Sequence, residues 1–244
     1  MTSTRKNSLA AGLFYLITFV SIPTLALYTS VRGEDYVVGP GPDTRVFIGV
    51  VLELIVALAG IGTAVALYPV VKRQYEGVAL GLVGSRTLEA AVIFVGAFSL
   101  LAVVGLREAG AGAGALTSAQ TLVGLHDWTF VLGQGLLPAV NGVLLATLLY
   151  QSRLVPRILP VIGFIGVPLL IVSAMSTLFG ITEYGSAASA FLAIPIALWE
   201  FSLGVYLTVK GFRKEGLQKL GFEPVESVEP GSTTVPKSEL PRVA

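Results

Sequence analysis

Six long runs of apolar residues, separated by short polar stretches, organise this chain. They cover about residues 9–29, 46–71, 78–106, 122–150, 158–180 and 188–209. Each has about 20 residues or more, which at 1.5 Å per residue lets an α-helix cross a hydrocarbon core of ~30 Å. The polar stretches read as connections. Residues 31–43 gather Gly33, Gly39, Pro40, Gly41 and Pro42 with Glu34, Asp35 and Asp43, and residues 72–77 form a short basic turn. Residues 109–114 alternate Ala and Gly. A phosphate-cradling glycine loop needs a strand before it and a helix after it, and neither is predicted here, so this is a flexible loop.

The runs carry their own punctuation. The first follows a basic start, Arg5 and Lys6, as a signal peptide would, but it is longer than such an apolar region and is read as a membrane helix. Pro23, Pro138, Pro168 and Pro195 mark kinks or breaks. Ala57, Gly60 and Ala64, and again Gly163 and Gly166, make small-residue stripes for close helix contact.

Composition agrees with the pattern: 54% of the 244 residues are hydrophobic and 13% charged, with a mean hydropathy of +0.80. The expected fold is all-α, a polytopic six-helix transmembrane bundle over residues 1–212, followed by a mostly disordered tail over 213–244. In that tail Arg213, Lys214, Lys219, Lys237 and Arg242 balance Glu215, Glu223, Glu226, Glu229 and Glu239, and its composition cannot repay the entropy of ordering. Its first turn, near Lys210 to Lys219, is placed to touch lipid headgroups. A net charge of +1 excludes an electrostatic footprint for nucleic acid. With no cysteine and one histidine, disulfides, thiolate chemistry and multi-histidine metal centres are excluded, and neither a metal nor a cofactor is expected.

Charge also orients the chain. With six spans both termini lie on one side, and that side holds Arg5, Lys6, Lys72, Arg73, Arg153, Arg157, Lys210, Arg213, Lys214 and Lys219 near span ends. The other side holds Arg32, Arg45 and Arg107, which makes ten against three. The positive-inside rule then puts both termini in the cytoplasm of a cell-membrane protein.

Several polar residues interrupt the spans. Arg86 and Glu89 stand one helical turn apart in the third, where an ion at the centre costs roughly 2.5–3.5 kcal/mol on insertion scales. Counted from the cytoplasmic ends, Arg86 lies ~12 Å deep, Glu89 ~16 Å, Glu200 ~15 Å and Asn141 ~13 Å, all near the midplane. An Arg86–Glu89–Glu200 charge network follows from the matched depths, since one guanidinium can hold two carboxylates. Asp127, Gln134 and Asn141 recur every seven residues as a polar stripe on nearly one helix face. Glu53 falls at the level of His126 and Asp127 and makes an outer polar group with them. For the charge network, a structural pairing that fixes helix register and a ligand-handling role stand level. For Gln134 and Asn141 packing is the reading favoured, and for His126 beside Asp127 and Trp128 an interfacial position.

Arg86-Thr87-Leu88-Glu89, Leu154-Val155-Pro156-Arg157 with Gly163, and Glu200 followed by Lys210-Gly211-Phe212 resemble a family of uncharacterised bacterial six-helix membrane proteins, domain of unknown function four-three-eight-six. The likeness runs from Leu9 to Phe212, and Tyr206 departs from it where tryptophan is expected. It implies six helices and no activity. Three functions remain. The first is handling of a small polar solute or ion through a polar cavity. The second is a non-catalytic membrane component whose buried charges hold the fold and whose helix faces bind a partner. The third, an intramembrane enzyme using paired carboxylates, is disfavoured, because no Ser/His/Asp set, HExxH or phosphate loop is present. The bilayer is the expected partner. The sequence leaves any small ligand, protein partner and oligomeric state open.

Overall fold

A computed structural model of the chain describes residues 2–33 and 35–222. Six helical stretches, Ser3–Leu27, Thr44–Val71, Glu76–Glu108, Gly112–Ser152, Ile158–Leu178 and Ala187–Val209, are long and apolar enough to cross a membrane. Among the described residues the secondary structure is helical throughout. The expectation for residues 223–244 lies outside the described residues.

The first span bends at its middle. Helix α1 (Ser3–Thr18) tightens into a 3-10 turn at Phe19–Ser21, and α2 (Thr24–Leu27) restarts behind Pro23. Proline has no N–H to continue the ladder and is tolerated at a helix start, so the break falls there. Helices α3 (Thr44–Val71) and α4 (Glu76–Glu108) form the second and third spans. The fourth is composite: α5 (Leu116–Phe130), a π-helical segment at Val131–Leu136, and α6 (Leu137–Ser152). Pro138 cannot donate to the carbonyl of Gln134, four residues back, and the ladder widens just ahead of it. Helices α7 (Ile158–Leu178) and α8 (Ala187–Val209) complete the bundle, and a short α9 (Lys214–Lys219) follows.

Two stretches differ from the sequence reading. The alanine–glycine stretch is a tight turn, because Gly110 and Gly112 adopt φ of +64° and +61° and Gly112–Ala115 closes as a 3-10 turn. Residues just after 212 are packed: Leu217 and Leu220 are buried, and Arg213 N–H donates to Leu154 O at 2.9 Å. Gly216 lies so close to the α6–α7 turn that a Cβ there would meet the Leu154 nitrogen at 2.7 Å.

The spans form a closed ring. Each packs on the next in the chain, and α8 returns to pack on α1. Small residues set the closest approaches, as expected where dispersion rather than water exclusion drives helix association. A Cβ on Gly163 would meet Trp199 at 2.7 Å, and one on Gly166 would meet the Ile196 nitrogen at 2.7 Å. Apolar side chains such as Val51, Leu58 and Val65, in a seven-residue stripe along α3, point outward.

The interior is divided in two. One apolar cluster, around Leu67, Leu148, Trp199 and Leu207, fills the end that carries Arg5, Arg73, Arg153 and Arg213, here called the near end. A second, around Tyr28, Val50, Leu100 and Val104, fills the far end, where Arg32 and Arg107 lie. Only Ala57, Ala90 and Ile93 form a small cluster of their own between them. Polar side chains and a cavity occupy that middle layer.

Candidate functional site

Arg86 on α4 is buried to 6% exposure and reaches into the middle of the ring. Its Nη1 donates to Glu89 Oε2 at 2.9 Å, as the i, i+3 spacing on one helix face allows. Its Nη2 donates to Glu200 Oε1 at 3.0 Å on α8, on the opposite side of the ring. The same nitrogen lies 3.4 Å from the hydroxyl of Tyr15 on α1. Asn141 Nδ2 on α6 donates to Glu89 Oε2 at 2.7 Å. Three spans thus converge on one guanidinium, and a fourth joins through Glu89. One guanidinium faces two carboxyl groups. Arg86 Nε and Asn141 Oδ1 are buried without a hydrogen-bond partner among the described residues.

A cavity of about 310 Å³ adjoins this group. Arg86, Glu89, Glu200 and Gln134 line it, with Thr18 and Ser21 from the break in the first span. A second cavity of about 270 Å³ lies toward the far end, lined by the hydroxyls of Ser173, Thr177, Tyr184, Ser186 and Ser189. Gln134, Leu170 and Ala193 border both. Gln134 belongs to the π-helical segment, where backbone bonding is loosest and functional sites are frequent.

The outer group forms a separate assembly. His126 Nε2 lies 3.2 Å from Glu53 Oε1 and its Nδ1 lies 3.4 Å from Asp127 Oδ1. Arg32, from the connection after α2, grips Asp127 at 2.6 and 2.7 Å and lies over the Tyr184 ring. The Tyr28 ring meets His126 edge-on. Burial opposes the Arg32 charge, but its hydrogen bonds with Asp127 and the nearby anions outweigh that and raise its pKa above the usual arginine value. Burial pushes the Tyr184 phenol up more than Arg32 lowers it. The space among Glu53, Gly96, His126 and Gln134 does not admit a water molecule, and a cleft of about 210 Å³ borders Arg32 and Asp127 from outside.

The heptad residues are divided between these surroundings. Asp127 joins the outer group, Gln134 borders the cavities, and Asn141 enters the charge network, where packing alone was the favoured sequence reading. Tyr15, Arg32, Tyr28 and Tyr184 were not identified from sequence. A tyrosine at mid-span carries a hydroxyl that needs a partner, and that signal was available for Tyr15. Arg32 belongs to a non-periodic connection, and no spacing rule places it.

Fold and site together define an all-α polytopic membrane protein whose ring of six apolar helices encloses a charged centre. The chain belongs to the family described as Domain of unknown function (DUF4386), whose model matches residues 10–211. No match was found among curated proteins or among solved structures.

Proposed function

We propose that the protein handles a small polar solute or ion in the central cavity. The observation that carries this reading is the 310 Å³ space against Arg86, Glu89 and Glu200. A group kept only to fix helix register gains nothing from an adjoining void, because a void forfeits packing contacts. The volume stands at the small end of ligand pockets, roughly 300–1,000 Å³. An ion held inside a membrane span is a candidate functional group.

The test is small-molecule mass spectrometry on protein purified in lipid nanodiscs, comparing the parent with Glu200→Gln. The parent should release a small polar species on denaturation and the variant markedly less. A parent that is folded and holds none overturns the reading. A structural role is the second reading, favoured by the way Arg86 ties α1, α4 and α8 together. Under that role Glu200→Gln changes stability and nothing else.

For orientation we propose that the near end is cytoplasmic and the membrane is the plasma membrane, supported by the ten-to-three bias in basic residues. Reporter fusions after Gly77 and Arg153 should report the cytoplasm and those after Gly39, Gly112 and Tyr184 the outside. Inversion at two of these sites overturns it.

A further inference from the structure

Away from the central cavity, the near end carries a corner lined, among the described residues, by four charged side chains. Arg153, Arg157, Arg213 and Glu215 border a shallow, solvent-open cleft of about 210 Å³, and Arg153, Arg213 and Glu215 are each close to half exposed. Arg153 and Arg157 flank the α6–α7 turn, while Arg213 caps α9 and Glu215 lies in its first turn, about sixty residues later in the chain. Docking of α9 brings them together, through the Arg213 N–H to Leu154 O bond at 2.9 Å and the close approach of Gly216 to the turn.

Among the described residues Glu215 is the only anion lining the space. It bonds Arg153 Nη1 at 2.8 Å and Arg213 Nη2 at 3.0 Å. Three arginines less one glutamate leave a formal charge of +2. Hydrogen bonding from Arg153 foremost, with the charges of Arg213 and Arg157 adding, holds the Glu215 carboxyl below its usual range, which reports the positive field in this corner. Arg157 makes no ion pair among the described residues; its guanidinium rests 5.0 Å from the Tyr150 ring centroid. Arg153 adopts φ of +58°, a left-handed conformation rare outside glycine and asparagine, at the C-cap of α6. The N-terminus of α7 opens at Ile158 beside Arg157, adding the positive end of a helix dipole; its Leu159 N–H is already taken by Pro156 O and Pro160 has none. Ile158 itself is 63% exposed and marks the edge of the apolar belt.

We propose that this corner binds a phosphate group of net negative charge, with Arg157 as its free fork and Glu215 as the internal anion that holds the site together when empty. Arginine forks match phosphate oxygens in pairs. The level, at the end of two spans, is where the headgroup of an anionic phospholipid lies. A soluble phosphate ester offers the same chemistry.

The full chain, purified in detergent, is melted with added phosphatidylglycerol, phosphatidylcholine or inorganic phosphate. Stabilisation by phosphatidylglycerol but not phosphatidylcholine assigns a lipid source, and stabilisation by millimolar phosphate alone assigns a soluble one. Arg157→Gln, which removes no ion pair among the described residues, should weaken the effective ligand about tenfold. Glu215→Gln should strengthen it, because a competing anion is gone, even if it lowers the melting point without ligand. Lys72→Gln, a near-end cation outside the corner, should leave the response unchanged. The proposal is overturned if neither phosphate source stabilises the parent, if Arg157→Gln responds like the parent, or if Glu215→Gln responds less.

Discussion

The central and the outer charged groups, both set within the apolar interior, are built to different rules. In the outer group both ring nitrogens of His126 face carboxylates, and Arg32 closes on Asp127. Only an imidazolium donates from both nitrogens, and in that state two positive charges meet two negative ones. No water fits among Glu53, His126 and Gln134. In the central group one arginine meets two glutamates and a cavity of about 310 Å³ adjoins; buried polar atoms without a partner among the described residues occur in both groups, Arg86 Nε and Asn141 Oδ1 here and the Tyr28 and Tyr184 hydroxyls there. Between Glu53 and His126 of the outer group there is no room for water, whereas the central group stands beside a cavity that leaves its interactions available to a ligand. That difference makes the central group the candidate site and the outer group the candidate scaffold.

Arg86→Leu should give the largest loss. It leaves Glu89 and Glu200 without their cation, and breaking a buried pair from one side costs ~3–5 kcal/mol. The melting point in detergent should fall steeply, and the triple change Arg86→Leu/Glu89→Leu/Glu200→Leu should fall less, because no unpaired charge remains. If the triple variant is the less stable of the two, the central group does not behave as one charge network. A double-mutant cycle between Arg86 and Glu200 should return a coupling of ~0.5–3 kcal/mol. A coupling near zero with both single variants folded would break the link between α4 and α8.

His126→Leu comes next. It leaves Glu53, 1% exposed, without its partner, at a penalty of ~1–3 kcal/mol. A Glu53→Gln/His126→Gln pair, which keeps hydrogen-bonding capacity and removes both charges, should recover most of that loss. Neither variant should change what the central cavity retains. If small-molecule retention falls with His126 while the protein stays folded, the division into scaffold and site is wrong.

Much of this arrangement was legible in the chain. Depth counting needs only span limits and the helical rise, and it brought Glu200 to the level of Arg86 because both spans are nearly regular helices. Spacing placed Glu89 on the same face as Arg86. The signal failed where regularity fails. The π-helical segment adds width to the ladder between Asp127 and Asn141, so a heptad no longer marks one continuous face, and the three stripe residues meet three surroundings. The break at Phe19–Ser21 opens one wall of the cavity, and Pro23 alone did not say which side it would open. The turn near Lys210 to Lys219 read as a lipid-headgroup contact at the start of a mostly disordered tail because its composition is polar; what orders Lys214–Lys219 is two leucines and a glycine against a turn about sixty residues earlier in sequence.

The smallest effect should come from Arg32→Gln. Arg32 and Asp127 are about a quarter exposed, so water and salt share their interaction, and pairs of that kind contribute ~0–1 kcal/mol. Raised salt should shrink the difference between parent and variant, because screening reaches groups at the far end but not the buried centre. The pH response has a definite sign. The folded-state pKa of Arg32 lies above its usual value, so its contribution is fully present below the unfolded pKa and is lost only as pH rises through the folded one, beyond the ordinary arginine range. Between neutral and moderately alkaline pH, the loss from Arg32→Gln should therefore stay constant. Melting curves of parent and variant at low and high salt measure both points. If the loss instead rivals that of Arg86→Leu and resists salt, Arg32 is as deeply committed as the central arginine, and the outer group can no longer be treated as the weaker, solvent-shared partner.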